Sequence, residues 1–308
     1  MNIQQLEYIV SLDKYRHFVR AAEACKVSQP TLSSLVHKLE EELDVTIFDR
    51  NAKPIAPTKI GRQIIDQAKV ALYNLSQLKE LALSEKHSDS GSLHIGVIPT
   101  VAPYVLPRLF TYMREKKRDL ELRVSEMRTS VIVDKLQKAE IDMAILATPL
   151  ENESLLEIPL YYEKFVTYVS PEVPFYNNDY VDTKTMPVDN LWVLQEGHCM
   201  RNQVFNFCHM QTSFSTIYEA GSIDTLVKIV DANGGYTIIP ELHVPLLTDI
   251  QKKNVRPFIS PEPLREISLV IRNDYVRERL VNEIVKAVKF VIPEEMIDAR
   301  LKKFAVKL

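Results

Sequence analysis

The sequence has no uninterrupted apolar run of the roughly 20 residues that a membrane-spanning helix needs. Its opening residues, Met1 to Glu7, include neither the basic leader nor the apolar core of a secretory signal. We therefore expect a cytoplasmic protein that does not contact a membrane. Cysteine is also scarce, at 3 residues, and in a reducing compartment so few cysteines are expected to act through reactivity or metal binding.

Glycine is rare as well, with 7 residues against 17 prolines, which excludes fibrous and low-complexity classes of protein. What is present is a globular composition, 46% hydrophobic and 26% charged, in a chain of 308 residues. That length predicts two or three domains of about 100 to 150 residues each. The net charge of −3 does not identify a partner, because the location of charge matters more than its sum.

Apolar residues at helical spacing predict three short helices near the N-terminus. The first two cover residues 3–12 and 18–24, and the third begins after a cap at Ser28 and runs to about Leu43. Its predicted inner face is Leu32, Val36, Leu39 and Leu43, and its outward residues are Thr31, Ser33, Ser34, His37 and Lys38. With the basic, proline-broken residues 51–57 as a wing, this pattern is typical of a winged helix-turn-helix, although a protein-interaction module fits the helix pattern equally well.

A long helix is predicted from a cap at Thr58 to about Lys86. Its apolar residues alternate spacings of four and three, as in a coiled-coil seam, at Ile64, Ala68, Ala71, Leu75, Leu78 and Ala82. A lone helix would expose this seam, so we expect a dimer; packing of the helix on its own domain is the alternative. The polar residues 87–91 predict a linker and the main domain boundary.

Beyond this linker, short apolar strands alternate with helices, which predicts an α/β domain with a largely parallel sheet. The strand candidates are residues 93–98, 120–124, 143–146, 165–169, 192–194, 236–239 and 267–271.

One set of motifs within the first 65 residues is specific to a family. It comprises Ala21-Ala22, Val27-Ser28-Gln29-Pro30-Thr31-Leu32-Ser33, Leu39-Glu40-Glu41-Glu42-Leu43, Phe48-Asp49-Arg50 and Thr58-x-x-Gly61. These motifs resemble the LysR-type transcriptional regulators. The resemblance implies that the third helix reads a double-stranded DNA operator and that the long helix dimerises. The implied DNA contacts are Gln29, Pro30, Thr31, Ser33, Ser34, His37 and Lys38, with Lys53 in the wing.

Residues 196–208 carry two cysteines nine positions apart, Cys199 and Cys208. Were the segment helical, their Cα atoms would lie about 13.5 Å apart along the axis and on opposite faces, whereas a disulfide needs about 4.4 to 6.8 Å. Bond formation would then require refolding, which makes oxidation a conformational switch. His198 and Arg201 are candidates to stabilise a Cys199 thiolate. Two alternatives remain: both cysteines fill core space, or they bind zinc with His198 and His209.

The same segment, from Gly197-His198-Cys199 to Cys208, closely resembles the hydrogen-peroxide sensors within the LysR-type family. Supporting matches are Leu93-His94-Ile95-Gly96-x-Ile98-Pro99-Thr100 and Pro261-Glu262-Pro263, so the likeness covers essentially the whole chain. It implies that Cys199 is the redox-active, peroxide-reactive thiol and that Cys208 closes a reversible disulfide. It also implies that Thr100, Thr129 and His198 help to position peroxide, and for Thr129 a helix cap is the alternative role.

The resemblance also implies how the chain is organised. A winged helix-turn-helix domain, 1–60, and a linker helix with a hinge, 61–90, would precede a redox-sensing regulatory domain, 91–308, with the periplasmic-binding-protein fold. Subdomain I of that fold would comprise 91–162 and 267–308, and subdomain II 163–266. We expect a homotetrameric activator, a dimer of dimers, that works with RNA polymerase and is reduced by glutathione or a glutaredoxin.

No cofactor, metal or enzymatic turnover is expected from this reading of the sequence. Two rival functions remain. A LysR-type regulator could respond to an organic effector in the cleft between subdomains, or the cysteine pair could serve a thiol peroxidase.

Overall fold

The computed structural model describes residues 1–84, 91–116, 120–184, 186–187, 190–208 and 219–297. The chain forms two compact units, one of Met1–Ser88 with Gln137–Glu140 and one of Asp89–Leu136 with Ile141–Leu308. The predicted linker, residues 87–91, lies outside the described residues except for Gly91. Among the helices described, none is both long and apolar enough to cross a bilayer.

The first unit is helical, with a small hairpin. Its elements are α1 (Ile3–Tyr15), α2 (Phe18–Ala24), α3 (Gln29–Leu43), β1 (Phe48–Asp49), β2 (Ala56–Pro57) and α4 (Lys59–Ser84). The predicted caps are confirmed. Ser28 accepts a hydrogen bond from the backbone N–H of Thr31 at the start of α3, and Thr58 accepts one from Gly61 at the start of α4. These helices therefore begin where local side-chain chemistry sets their first turn.

The three short helices enclose one apolar core. It includes Ile9, Leu12, Leu32, Val36 and Leu39, so most of the predicted inner face of α3 is confirmed. The prediction for Leu43 is wrong, because Leu43 is 37% exposed. The reason is that α3 ends at this residue and Asp44 turns the chain away in a left-handed conformation, with φ of 52°.

Glu40 differs from the acidic residues that follow it in α3, because it is only 8% exposed. Its Oε1 accepts from the backbone N–H of Ile47 at 2.8 Å and of Phe48 at 3.1 Å. Its Oε2 accepts from Arg50 at 2.9 Å. Glu40 therefore ties the last turns of α3 to the first strand of the wing.

Gly61 lies where α4 begins against the backbone of Ile47. A Cβ atom on Gly61 would stand 1.9 Å from the carbonyl oxygen of Ile47, closer than non-bonded atoms approach. We expect Gly61→Ala to lower the free energy of unfolding of the first unit by about 3 kcal/mol, since no rotamer change relieves a clash with backbone. Chemical denaturation followed by far-UV circular dichroism measures this loss. Gly221→Ala is the control, because its Cβ would meet Gln195 at an ordinary 3.5 Å, and an equal loss in both variants would contradict the explanation.

Along α4 the predicted seam is only partly covered. Ala68 is 3% exposed, whereas Leu78, ten residues further on, is 62% exposed. The N-terminal part of the seam therefore packs within the chain, and the part around Leu78 leaves apolar surface for a partner. Dimerisation through α4 stays a prediction.

The second unit mixes helices and strands. Its elements are β3 (Gly91–Val97), α5 (Ala102–Lys116), β4 (Leu120–Glu126), α6 (Thr129–Gln137), β5 (Met143–Thr148), β6 (Leu155–Val169), β7 (Val193–Leu194), α7 (Cys199–Cys208), β8 (Glu219–Ala220), α8 (Ile223–Asn233), β9 (Tyr236–Pro240), α9 (Asp249–Lys252), β10 (Val255–Pro257), β11 (Leu264–Arg272) and α10 (Glu278–Val291). Short 3₁₀ segments occupy Glu241–Leu246 and Glu294–Ile297. Each strand candidate from the sequence overlaps an observed strand.

The main sheet is not largely parallel, so that prediction is wrong. Its strand order is β10-β6-β11-β5-β3-β4, with β9 also paired to β6. β3 pairs in parallel with β4 and β5, but β11 runs antiparallel to β5 and β6, and β6 runs antiparallel to β9 and β10. The long strands β6 and β11 return through the sheet, and their direction depends on pairings between residues far apart in sequence.

The register of β6 and β11 positions the buried polar residues of this unit. Glu163 lies opposite Arg265, and Tyr162 lies opposite Glu266. Successive residues of a strand point to opposite faces. Glu163 and Arg265 therefore share one face of the sheet, and Tyr162 and Glu266 share the other.

Candidate functional site

The segment that carries both predicted redox cysteines is helical, since α7 begins at Cys199 and ends at Cys208. At about 1.5 Å and 100° per residue, the two Cα atoms are separated by about 13.5 Å along the axis and lie on opposite faces. A disulfide needs Cα atoms about 4.4 to 6.8 Å apart. The observed helix therefore excludes a bond between these cysteines, and Cys199 is a free thiol.

Cys199 is the first residue of α7 and is 7% exposed. The N-terminus of a helix presents unpaired backbone N–H groups and carries about half a positive charge, which stabilises a thiolate over a thiol. Met200 and Val204 pack into the apolar core of this part of the unit. This packing fixes the orientation of α7 and so holds Cys199 at its buried end.

The turn before α7 packs against the start of α6. Gly197 has a φ of 90°, and a Cβ there would lie 3.3 Å from Cδ of Arg128. A guanidinium nitrogen of Arg128 donates to the carbonyl oxygen of Glu196 at 3.4 Å. The next residue, His198, is 4% exposed, and burial together with the charge of Arg128 lowers its pKa. Its imidazole is therefore neutral near pH 7, with one nitrogen that donates and one that accepts.

Two buried polar atoms near this turn have no hydrogen-bond partner among the described residues, Thr129 Oγ1 and His198 Nε2. Thr129 is the first residue of α6 and directly follows Arg128. Its hydroxyl makes no capping bond in the part of the chain described, so the helix-cap alternative is not what is observed. Because buried polar groups are almost always paired, these two atoms indicate a place for water or a ligand.

Thr100 is bonded to a buried arginine that the sequence analysis missed, Arg265 on β11. One terminal nitrogen of Arg265 donates to Thr100 Oγ1 at 2.9 Å and the other to the Thr100 carbonyl at 3.1 Å. Arg265 also donates to Oε1 of Glu163, from Nε at 2.8 Å and from a terminal nitrogen at 2.7 Å. The hydroxyl of Tyr104 accepts from Arg265 at 3.1 Å and donates to Glu163 at 2.7 Å. Both Arg265 and Glu163 are 0% exposed, so this network is dry.

The charge of Arg265 acts on Cys199. Burial lowers the pKa of Arg265, but the charges of Glu163, Tyr104 and Cys199 raise it above its ordinary value overall. Attraction of this kind is mutual, so the guanidinium favours the thiolate form of Cys199. The only sequence signal for Arg265 is a cation within an otherwise apolar strand, Leu264–Arg272.

The cation that the sequence analysis favoured, Arg201, lies one turn into α7. Its guanidinium is 5.4 Å from the centre of the Phe205 ring, which follows it by one helical turn. A role for Arg201 at the thiol stays a prediction. The zinc alternative includes His209, which lies outside the described residues.

The residues predicted to contact DNA lie on one open face of the first unit. Those exposed on α3 are Gln29, Pro30, Thr31, Ser34, His37 and Lys38, while Ser33 is half-buried. Lys53 is exposed in the hairpin between β1 and β2. The face of α3 opposite its buried residues is therefore free to approach another surface, as a helix that enters the major groove requires.

Comparison with known proteins accounts for both units. Residues 3–62 match the family "Bacterial regulatory helix-turn-helix protein, lysR family", and residues 86–290 match the "LysR substrate binding domain". The "Hydrogen peroxide-inducible genes activator" of Haemophilus influenzae is 37% identical over 301 residues, which cover 95% of this chain and 99% of the relative. The "DNA-binding transcriptional dual regulator OxyR" of Escherichia coli is 38% identical over 273 residues, covering 88% of this chain and 90% of the relative.

Solved structures show the same similarity. A variant of full-length OxyR from Pseudomonas aeruginosa is 32% identical with a TM-score of 0.79, covering 94% of this chain and 98% of that one. A reduced OxyR from Porphyromonas gingivalis is 39% identical with a TM-score of 0.63, covering 70% of this chain and 99% of that one.

Proposed function

Because this chain belongs to the LysR family of bacterial transcriptional regulators, we propose that it senses hydrogen peroxide through Cys199 and changes its DNA binding in response. The observation that carries the proposal is the placement of Cys199 and Cys208 at opposite ends of α7, with Cys199 buried at the N-terminus. The names of the relatives from Haemophilus influenzae and Escherichia coli support it. LysR proteins are regulators rather than enzymes, so peroxide is here a signal rather than a substrate for turnover.

The chemistry proceeds in two balanced steps. The Cys199 thiolate attacks one oxygen of hydrogen peroxide, the O–O bond breaks, and hydroxide leaves with a proton as water, giving a sulfenic acid. The Cys208 thiol then attacks that sulfur and displaces a second water, which leaves the disulfide. Two thiols are oxidised and one peroxide is reduced to two waters. The unpartnered Thr129 hydroxyl and His198 ring supply hydrogen bonds to peroxide, and Thr100, which accepts from Arg265, has its own hydroxyl hydrogen to donate.

The second step requires α7 to unwind, because its ends are about 13.5 Å apart along the axis in the reduced fold. The covalent bond thus stabilises a conformation that the reduced chain does not adopt. In the proposed mechanism this refolding changes how the DNA-binding units of a homotetramer, a dimer of dimers, engage the operator and RNA polymerase. Glutathione or a glutaredoxin in the cytoplasm restores the thiols. The limits of the two subdomains given above belong to the same proposal.

Peptide mass spectrometry of the full-length protein tests the central step. Before peroxide, the peptides that carry Cys199 and Cys208 are expected to react fully with an alkylating reagent. After brief exposure to peroxide they are expected to be linked and lighter by two hydrogens, and a reductant should reverse the change. Persistent free thiols on both residues would contradict the proposed function and favour the core-packing alternative.

The proposed DNA contact of α3 gives a prediction for Lys38. We expect Lys38→Gln to weaken binding to any DNA sequence and to reduce the slope of log affinity against log salt by about 1, because one fewer phosphate is neutralised. Binding titrations at several salt concentrations measure both effects. Lys252→Gln is the matched control, since Lys252 is exposed on α9 in the other unit and pairs with Asp249. Equal changes in the two variants would contradict a contact at Lys38.

A further inference from the structure

We propose that Glu163 is a positioning residue that sets the reactivity of Cys199, by acting as a second counter-ion for Arg265. The inference rests on the proposed function of Cys199 and deepens it. Glu163 contacts Arg265 and not the reacting sulfur, so it acts through the guanidinium. Its role is to divide the attraction of one buried cation between a permanent anion and a thiolate that oxidation removes.

The geometry holds the guanidinium in one orientation. Oε1 of Glu163 accepts from Nε of Arg265 at 2.8 Å, from a terminal nitrogen at 2.7 Å and from the Tyr104 hydroxyl at 2.7 Å. The same side of the network ends in the two hydrogen bonds from Arg265 to Thr100, at 2.9 Å and 3.1 Å. A planar fork fixed at both edges cannot rotate, so its charge stays at a constant place relative to α7.

The charge balance of this site changes with redox state. Arginine does not lose its proton in proteins, so Arg265 remains a cation that needs compensation inside a dry site. In the reduced state both Glu163 and a Cys199 thiolate compensate it. After oxidation the Cys199 sulfur is neutral, and Glu163 alone remains. Glu163 therefore weakens the hold of Arg265 on the thiolate but prevents an unpaired buried cation once the disulfide has formed.

The other ionisable groups at Arg265 do not replace Glu163. The groups that act on Arg265 are Glu163, Tyr104, Cys199 and Tyr161. Burial raises the pKa of both tyrosines well above the ordinary value, so they stay neutral phenols. Burial also raises the pKa of Glu163, while the charge of Arg265 and the hydrogen bond from Tyr104 oppose that rise. His198, which precedes Cys199, is neutral for the reason given above.

Glu163→Gln tests the inference in the full-length protein, because the amide keeps an oxygen that accepts from Arg265 and Tyr104 but removes the charge. The thiolate then becomes the only counter-ion, so Cys199 is expected to react with iodoacetamide about tenfold faster at pH 6, a shift of about one unit in its midpoint. The disulfide, which now leaves Arg265 uncompensated, is expected to become about tenfold easier to reduce, about 30 mV in a glutathione buffer. Peptide mass spectrometry follows Cys199 separately from Cys25 and Cys208.

Glu266→Gln is the matched control. Glu266 follows Arg265 in β11, is 5% exposed, and accepts from Thr148 and Tyr162 on the opposite face of the sheet, each at 2.8 Å. Its loss of a buried charge is expected to leave both Cys199 measurements unchanged. The inference is overturned if Glu163→Gln moves neither quantity, moves only one, or matches Glu266→Gln.

A second variant covers the case in which Glu163→Gln does not fold. Glu163→Asp keeps the charge but withdraws it from Arg265, so smaller shifts in the same two directions are expected, and no shift or opposite shifts would overturn the inference. Alkylation of Cys199 needs no peroxide. If wild-type protein forms no disulfide, the proposed function fails, yet the effect of Glu163 on Cys199 is still measured.

Discussion

Replacing Cys199 with serine is expected to abolish the peroxide response. A serine hydroxyl is not ionised near neutral pH, so it neither attacks peroxide nor forms a disulfide with Cys208. Hydrogen exchange of the 199–208 peptide provides a direct readout. In wild-type protein, peroxide should speed exchange because α7 unwinds, whereas Cys199→Ser should keep its slow exchange. A transcription reporter in cells that lack the native gene should likewise lose all induction by peroxide.

Cys25→Ser is the control for this experiment. Cys25 ends α2 and packs partly buried against the core of the first unit, so a serine there should leave the response intact. Cys208→Ser separates the two chemical steps, because Cys199 should still gain an oxygen atom but form no bond to residue 208. An undiminished response in Cys199→Ser would place the sensor elsewhere in the chain.

The second large effect concerns stability. We expect Arg265→Met to lower the free energy of unfolding of the reduced protein by about 3 to 5 kcal/mol, because it leaves the Glu163 carboxylate buried without its cation. Methionine fills much of the same volume, so the loss would arise from charge rather than from a cavity. Chemical denaturation of the second unit, followed by near-UV circular dichroism, measures it.

A double variant shows whether the loss comes from the pair. Arg265→Met combined with Glu163→Gln removes both charges, so most of the stability should return and the two changes should be strongly non-additive. The double variant should nevertheless alkylate slowly at Cys199, because the cation that favours the thiolate is gone. Losses that simply add would show that the two side chains do not depend on each other.

The elements that the sequence predicts best are those set by local chemistry. Ser28 and Thr58 cap helices within three residues of the N–H groups that they bind. The first half of β6 was missed because Pro159 interrupts its strand pattern. The structure accommodates Pro159 opposite Ser268, next to the point where the register between β6 and β11 shifts. A bulge of this kind depends on the partner strand, so no local pattern indicates it.

The site divides in the same way. The spacing of Cys199 and Cys208 is written in a single segment, and the helix that makes the spacing informative is observed. The pair of Glu163 and Arg265 joins residues 102 positions apart, so its existence depends on strand pairing that the sequence does not display. The unpartnered hydroxyl of Thr129 is a packing outcome of the same kind.

The burial of Met200 and Val204 has a consequence for how the signal ends. In the proposed switch, unwinding α7 would draw these side chains from the core, and each is worth about 1.5 to 3 kcal/mol of burial. The oxidised form is then held against this loss by one covalent bond. Once a reductant cuts that bond, the core itself drives the chain back. The sensor therefore resets without chaperones or nucleotide hydrolysis, and the supply of reductant alone sets how long the alarm lasts.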